Sequence, residues 1–187
     1  QDTFGEWANF VTNSDKSFTF VENSSYILSK DVEKIYGENI SITGNNSTFD
    51  ANNKNFLTEV DATQNITITD LTINNSVNPT QNNGTLNLHN ITTTKDFINE
   101  NNLNISGSTT LGALTNNAQT TFNGDLLTIT NLTNNQTITA NGNIQTQSTT
   151  NNNNISISGS LNSQNVTNNP DSLLTIGGNL YSENLQN

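Results

Sequence analysis

Few side chains in this chain could do chemistry. There is one histidine, His89, there are five lysines (Lys16, Lys30, Lys34, Lys54 and Lys95), and there is no arginine or cysteine. Carboxylates can hold calcium, or act in pairs as general acid and nucleophile on a glycosidic bond. Asp50, Asp61, Asp70 and Asp96 are the acidic candidates for such work. Lys54 and Lys95 sit in loop-like contexts, and His89 stands in Leu88-His89-Asn90 at an outward position. Aspartate is also a common turn residue, because its side chain bonds nearby backbone and tolerates left-handed conformations. The acids are therefore read as turn residues, and no catalytic residue, metal site or cofactor is expected. The absence of cysteine removes disulfides and thiolate zinc sites.

The charge balance excludes several partners. Sixteen acidic residues against five basic ones give a net charge of −11. Nucleic acid binding needs cationic phosphate contacts, so it is not expected. An anionic membrane surface is a poor partner for the same reason, and anionic substrates would lack an arginine clamp. No apolar run approaches the roughly 20 residues of a membrane helix, so no direct membrane insertion is expected. Forty Asn, 30 Thr and 17 Ser make up 87 of the 187 residues, whereas Leu, Ile, Val and Phe together number 46. That apolar content is too small for a thick core yet above the range of disordered chains. A thin, strand-rich structure with a large polar surface follows.

A repeat supplies that structure. Two apolar residues flanking a polar one, followed by a turn residue, recur as Ile40-Ser-Ile-Thr-Gly44, Ile66-Thr-Ile-Thr-Asp70, Leu86-Asn-Leu-His-Asn90 and Leu103-Asn-Ile-Ser-Gly107. They return at Ile138-Thr-Ala-Asn-Gly142 and Ile155-Ser-Ile-Ser-Gly159, and in degraded form at Phe122-Asn-Gly124 and Leu174-Thr-Ile-Gly-Gly178. The alternation points one set of side chains inward, and the turn residue accommodates a sharp corner. A period of this size with two or three short strands is one coil of a β-solenoid. About eight coils stacked about 4.8 Å apart give a rod of roughly 40 Å, with rows of corner Asn satisfying polar groups that a thin core cannot hide. Residues 1–38 read as a cap with one short helix over Phe4, Trp7, Phe10 and Val11, started by Asp2 or Thr3 with Glu6 in its first turn. Residues 39–187 read as the coils, which are expected to continue beyond Asn187.

The outward positions form a polar, largely uncharged strip: Ser41 and Thr43, Thr67 and Thr69, Asn87 and His89, Asn104 and Ser106, Thr137 and Thr139, Ser156 and Ser158. Those from Thr67 to Ser158 are the candidate binding face, with loops at Asn74–Asn83 and Ala113–Thr121 beside it. Asn-x-Ser/Thr sequons at Asn39, Asn65, Asn90, Asn104, Asn131, Asn154 and Asn165 arise largely from the strand motif itself.

The stretch Asn46-Ser-Thr-Phe-Asp50-Ala-Asn-Asn53, then Phe56-Leu57, then Asn65-Ile-Thr-Ile-Thr-Asp-Leu-Thr-Ile-Asn-Asn75, resembles the early coils of pectate-lyase-like right-handed parallel β-helices. The Trp7 and Phe20 region is similar to the capping segment before them. The resemblance implies an all-β, right-handed parallel β-helix. It covers polysaccharide lyases and hydrolases, phage tailspikes and bacterial adhesins, the last including autotransporter passengers, polymorphic outer-membrane proteins and two-partner secreted adhesins. The lyases of this group use calcium carboxylates with a basic residue, usually arginine, and the hydrolases use paired Asp with Gly-His-Gly. The chain has no arginine, and His89 has no flanking glycine. The resemblance therefore implies a non-catalytic adhesin, secreted or at the bacterial cell surface (outer membrane). Its partners would be a host-cell or bacterial surface receptor, protein or glycan, and an uncovered coil edge implies self-association. A carbohydrate-active enzyme or polysaccharide-binding module is the alternative, and a structural spacer or ice-binding segment the third reading.

Overall fold

The computed structural model describes residues 7, 10–11 and 16–187. Helical Trp7, Phe10 and Val11 are buried, whereas Asp2, Thr3, Phe4 and Glu6 of the expected helix lie outside the described residues. Two strands, β1 (Ser17–Thr19) and β2 (Ser25–Ile27), form an incomplete first coil. The next coils are built from β3 (Asn39–Asn55) with β4 (Glu59–Val60), then β5 (Asn65–Val77) with β6 (Thr80–Asn82). They are followed by β7 (Thr85–Thr93) with β8 (Phe97–Asn99), and β9 (Asn102–Leu111) with β10 (Leu114–Asn116). Two long strands, β11 (Gln119–Asn134) and β12 (Thr137–Asn151), each bend around all three faces of a coil. The last coils are β13 (Asn154–Ile157) with β14 (Leu161–Asn168), and β15 (Leu173–Ile176), β16 (Leu180–Tyr181) and β17 (Asn184–Gln186).

Every strand pairing is parallel, and each coil pairs with the coil before and after it. The chain is a parallel β-solenoid of about seven turns. The expected count of about eight coils is slightly high.

The first face carries two inward columns. One runs Ile40, Ile66, Leu86, Leu103, Thr120, Ile138, Ile155, Leu174. The other runs Phe18, Ile42, Ile68, Leu88, Ile105, Phe122, Ala140, Ile157, Ile176. The fifth repeat thus begins at Thr120, two residues before the expected Phe122. Thr120 fills an apolar column position because its hydroxyl donates to Asn116 Oδ1 at 2.8 Å, so no buried group is orphaned. Large Phe122 packs beside small Ala140, which keeps the column volume level.

After the first face the chain turns through left-handed residues: Asp70 and Asn90 at φ 52°, Gly107 at φ 70°. Gly142 shows why small residues take over there: at φ 142°, a Cβ would lie 2.0 Å from the Gly124 carbonyl oxygen one coil below.

The third face holds the ladder that ties the coils together. Asn82, Asn99, Asn116, Asn134 and Asn151 are buried, and each donates its amide to the Oδ1 of the next at 2.9 Å, the last to Asn168. Asn168 continues to Asn187 at 2.9 Å. Asn134 also donates to the carbonyls of Gln136 (2.9 Å) and Asn154 (3.0 Å), and its Oδ1 accepts from Gln136 N–H at 3.3 Å. An outer ladder runs beside it: Asn135 donates to Asn117 and Asn152 donates to Asn135, both at 2.7 Å, and Asn169 donates to Asn152. At the other end Trp7 packs against Phe10, Phe18, Phe20, Phe49 and Phe56 with ring centroids 5.0–6.1 Å apart.

Removing an interior rung leaves several buried groups unpaired, whereas an outer rung is replaced by water. Asn134→Ala is expected to cost roughly 2–4 kcal/mol and Asn152→Ala less than about 1 kcal/mol in urea denaturation. Equal losses in the two variants would contradict the role assigned to the interior ladder.

Candidate functional site

The candidate face is built by the outward side chains of the first-face strands. One row runs Ser41, Thr67, Asn87, Asn104, Thr121, Thr139, Ser156. The next runs Thr43, Thr69, His89, Ser106, Asn123, Asn141, with Ser158 following in register. Thr137 does not belong to either row: it pairs with Gln119 and Asn154, at the start of the strand. Thr121 and Asn123 stand where the expected start at Phe122 leaves gaps, and Asn141 rather than Thr137 is the second outward residue of the repeat at Ile138. Apart from His89, no side chain in these two rows is ionisable.

The rows are held in place from coil to coil. Asn87 donates to Asn65 Oδ1 (2.8 Å) and Thr67 Oγ1 (3.1 Å), Asn104 to Asn87 (2.8 Å), and Thr121 to Asn104 (2.7 Å). Asn141 donates to Asn123 at 2.9 Å. His89 Nδ1 lies 2.8 Å from Ser106 Oγ, and its Nε2 lies 3.1 Å from Asn90 Nδ2. The Asn90 amide is oriented by its other bonds: Oδ1 accepts from Ser108 N–H and Nδ2 donates to Asp70 Oδ1, both at 3.0 Å. The histidine Nε2 is thereby an acceptor and Nδ1–H donates to Ser106. A nucleophilic serine needs the imidazole to take its proton. Here the ring offers one, so His89 clamps two coils rather than activating Ser106.

The four acidic candidates are not gathered together. Asp50 Oδ1 accepts from Asn75 Nδ2 (3.0 Å) and from Asn52 N–H (2.8 Å), and these bonds hold its carboxyl below the usual range. Asp61 pairs with Lys34, whose ammonium is pushed up chiefly by that hydrogen bond. Asp70 accepts from Asn90, and Asp96 accepts from Ala113 N–H at 2.8 Å. Each joins neighbouring coils, which is a turn residue's work. Among the described residues no group of three or more His, Asp or Glu is placed to hold a metal ion. The stretches expected as loops are largely strand: Thr80–Asn82 and Leu114–Asn116 form the third face, with Asn82 and Asn116 in the interior ladder. Thr80–Asn82 has no inward apolar residue and Leu114–Asn116 only Leu114, too short a pattern to read as a strand from sequence. The signal that marks this face is the Asn-Asn pair at 82–83, 116–117, 134–135, 151–152 and 168–169.

Lys95 is buried, its ammonium donating to the Asn78 carbonyl at 2.8 Å and Ser76 Oγ at 3.2 Å. Burial lowers its pKa to about 8, partly opposed by neighbouring Asp96. No protein family, curated protein or solved structure matches this chain.

Because the unfolded chain binds more protons than the folded one between pH 8 and 10.5, Lys95 makes stability rise with pH across that window. Comparing wild type with Lys95→Met by denaturation at a series of pH values should show wild type gaining on the variant as pH rises from about 8 to 10.5. A constant difference would show that the ammonium is not desolvated.

Proposed function

We propose that this chain is the rod of a non-catalytic bacterial adhesin, secreted or displayed at the cell surface, which attaches to a protein or glycan receptor on host cells, matrix or other bacteria. The observation that carries the reading is the pair of uncharged outward rows, in register from coil to coil, with Asn87, Asn104, Thr121, His89 and Asn141 ordered by bonds to neighbouring coils. A surface already ordered loses little side-chain entropy on binding, which is where polar surfaces otherwise forfeit affinity. Successive coils present these groups at about 4.8 Å intervals, so weak contacts repeat along one partner and add through effective concentration. The resemblance of Asn46 to Asn75 to early coils of pectate-lyase-like β-helices, a group that includes bacterial adhesins, supports the placement outside the cell. So does a net charge of −11, which disfavours anionic membranes and nucleic acids.

Beads coated with the protein should be retained on epithelial cells, extracellular matrix or bacterial lawns. The double variant Thr139→Glu with Ser156→Glu changes two exposed side chains on this face and is expected to lower retention by about tenfold with unchanged circular dichroism. Beads that stay unattached to all three surfaces would sink the proposal.

A further inference from the structure

The inward column of the second face changes character along the rod. Leu111 and Ile129 fill it in the middle coils, then Thr146 and Ser163 replace them, with Ser182 next in register. Thr146 Oγ1 donates to Ser163 Oγ at 2.7 Å, Thr149 bonds both, and Ser163 donates to the Asn165 carbonyl at 2.9 Å. These small, mutually bonded residues border a groove over the last three coils with a cavity volume of about 650 Å³, which falls in the range of small-ligand sites.

The rim has a distinct composition. Tyr181 is 55% exposed and lies in register with Asn162. Gln147, Gln164 and Glu183 line the groove with them. Gln164 donates to Glu183 at 3.3 Å, but Gln147 and Asn162 make no side-chain hydrogen bond within the described residues. That sets them apart from the ladder asparagines, whose amides are engaged from coil to coil.

We infer that this groove is a binding site for a neutral saccharide. Planar amides that both donate and accept match sugar hydroxyls, which do the same. The open face of the Tyr181 ring offers an apolar platform for the C–H side of a pyranose. An anionic ligand finds no cation, since the last lysine is Lys95 and there is no arginine. An apolar ligand would strip water from the exposed Asn and Gln amides without replacing their bonds. Three coils span roughly 10 Å, the reach of one or two sugar rings.

The site is separate from the first-face rows, so the two readings fall independently. The intact chain is applied to an array of neutral oligosaccharides ending in glucose, galactose, mannose or N-acetylhexosamine, beside sialylated and uronic-acid glycans. Binding to a neutral glycan should weaken roughly tenfold in Tyr181→Ala and severalfold in Gln164→Ala. Tyr181→Phe should retain it, and so should Tyr36→Ala, which removes an exposed aromatic at the opposite end. All three positions are exposed, and unchanged thermal melting confirms the fold. Absence of neutral-glycan binding, preference for acidic glycans, or binding indifferent to both Tyr181→Ala and Gln164→Ala overturns the inference. Loss of bead attachment in the first-face variant with glycan binding intact would leave this site standing alone.

Discussion

The interior asparagine ladder is the interaction on which the rest of the fold depends. At this corner each coil must provide a side chain that accepts from the coil below and donates to the coil above, while also bonding the backbone two residues on. Asparagine does all of this through one planar amide. Aspartate lacks the donors, and serine is too short to bridge strands about 4.8 Å apart. The rungs from Asn82 to Asn168 fall 17, 17, 18, 17 and 17 residues apart, so the ladder also sets the length of each coil. In-register stacking then follows, and with it the columns of Ile and Leu on the first face. The excess of Asn, Thr and Ser is what a narrow stacked structure requires, because little of each coil lies far from a backbone group needing a partner.

Before the ladder starts, the same requirement is met piecemeal. Val60 pairs with Asn82 and so holds the ladder's place in the preceding coil. There Gln64 reaches inward, donating to the carbonyls of Ile35 (2.6 Å) and Gly37 (2.7 Å) while accepting from Asp61 N–H at 3.0 Å. Thr80 and Thr93 donate to the carbonyls of Leu57 (2.5 Å) and Ile73 (2.8 Å), and Lys95 reaches the carbonyl of Asn78. These early coils are longer and wander through left-handed Asn45, Asn46, Asn52, Asn53 and Leu57. Four of the five lysines lie in this irregular part and Lys95 lies between the first two rungs; two have structural partners, Lys34 with Asp61 and Lys95 with the coil below. No lysine follows the second rung, Asn99.

This explains which parts of the fold could be read from the residues. The first face alternates apolar and polar over four or five residues in nearly every coil, and that period is legible without any structure. Rows of corner asparagine were legible as a need, though not as particular residues. The third face offers only Leu114 and Asn116, or Phe97 and Asn99, as its inward pair, so Ala113–Thr121 looked like a loop. Thr120 hid the start of the fifth repeat because a polar residue stands at an inward position, its hydroxyl satisfied by Asn116 of the interior ladder. Of the candidate face, Thr67, Thr69, Asn87, His89, Asn104, Ser106, Thr139, Ser156 and Ser158 point outward as the alternation required. Thr137 flanks the strand start at Ile138, and the alternation continues to Asn141 instead.

The distribution of satisfied and open amides carries the functional argument furthest. A side chain bonded to its neighbours above and below is rigid and presents a fixed pattern, which favours extended, repetitive contact. An amide without a protein partner, beside an exposed ring, favours capture of a discrete ligand with hydroxyls of its own. Asn87 and Asn104 belong to the first kind, Gln147 and Asn162 to the second. If both proposals hold, one scaffold offers two recognition chemistries, separated by whether neighbouring coils consume the amide. The switch needs no change of fold, only the replacement of Leu111 and Ile129 by Thr146 and Ser163 in successive coils of the same column.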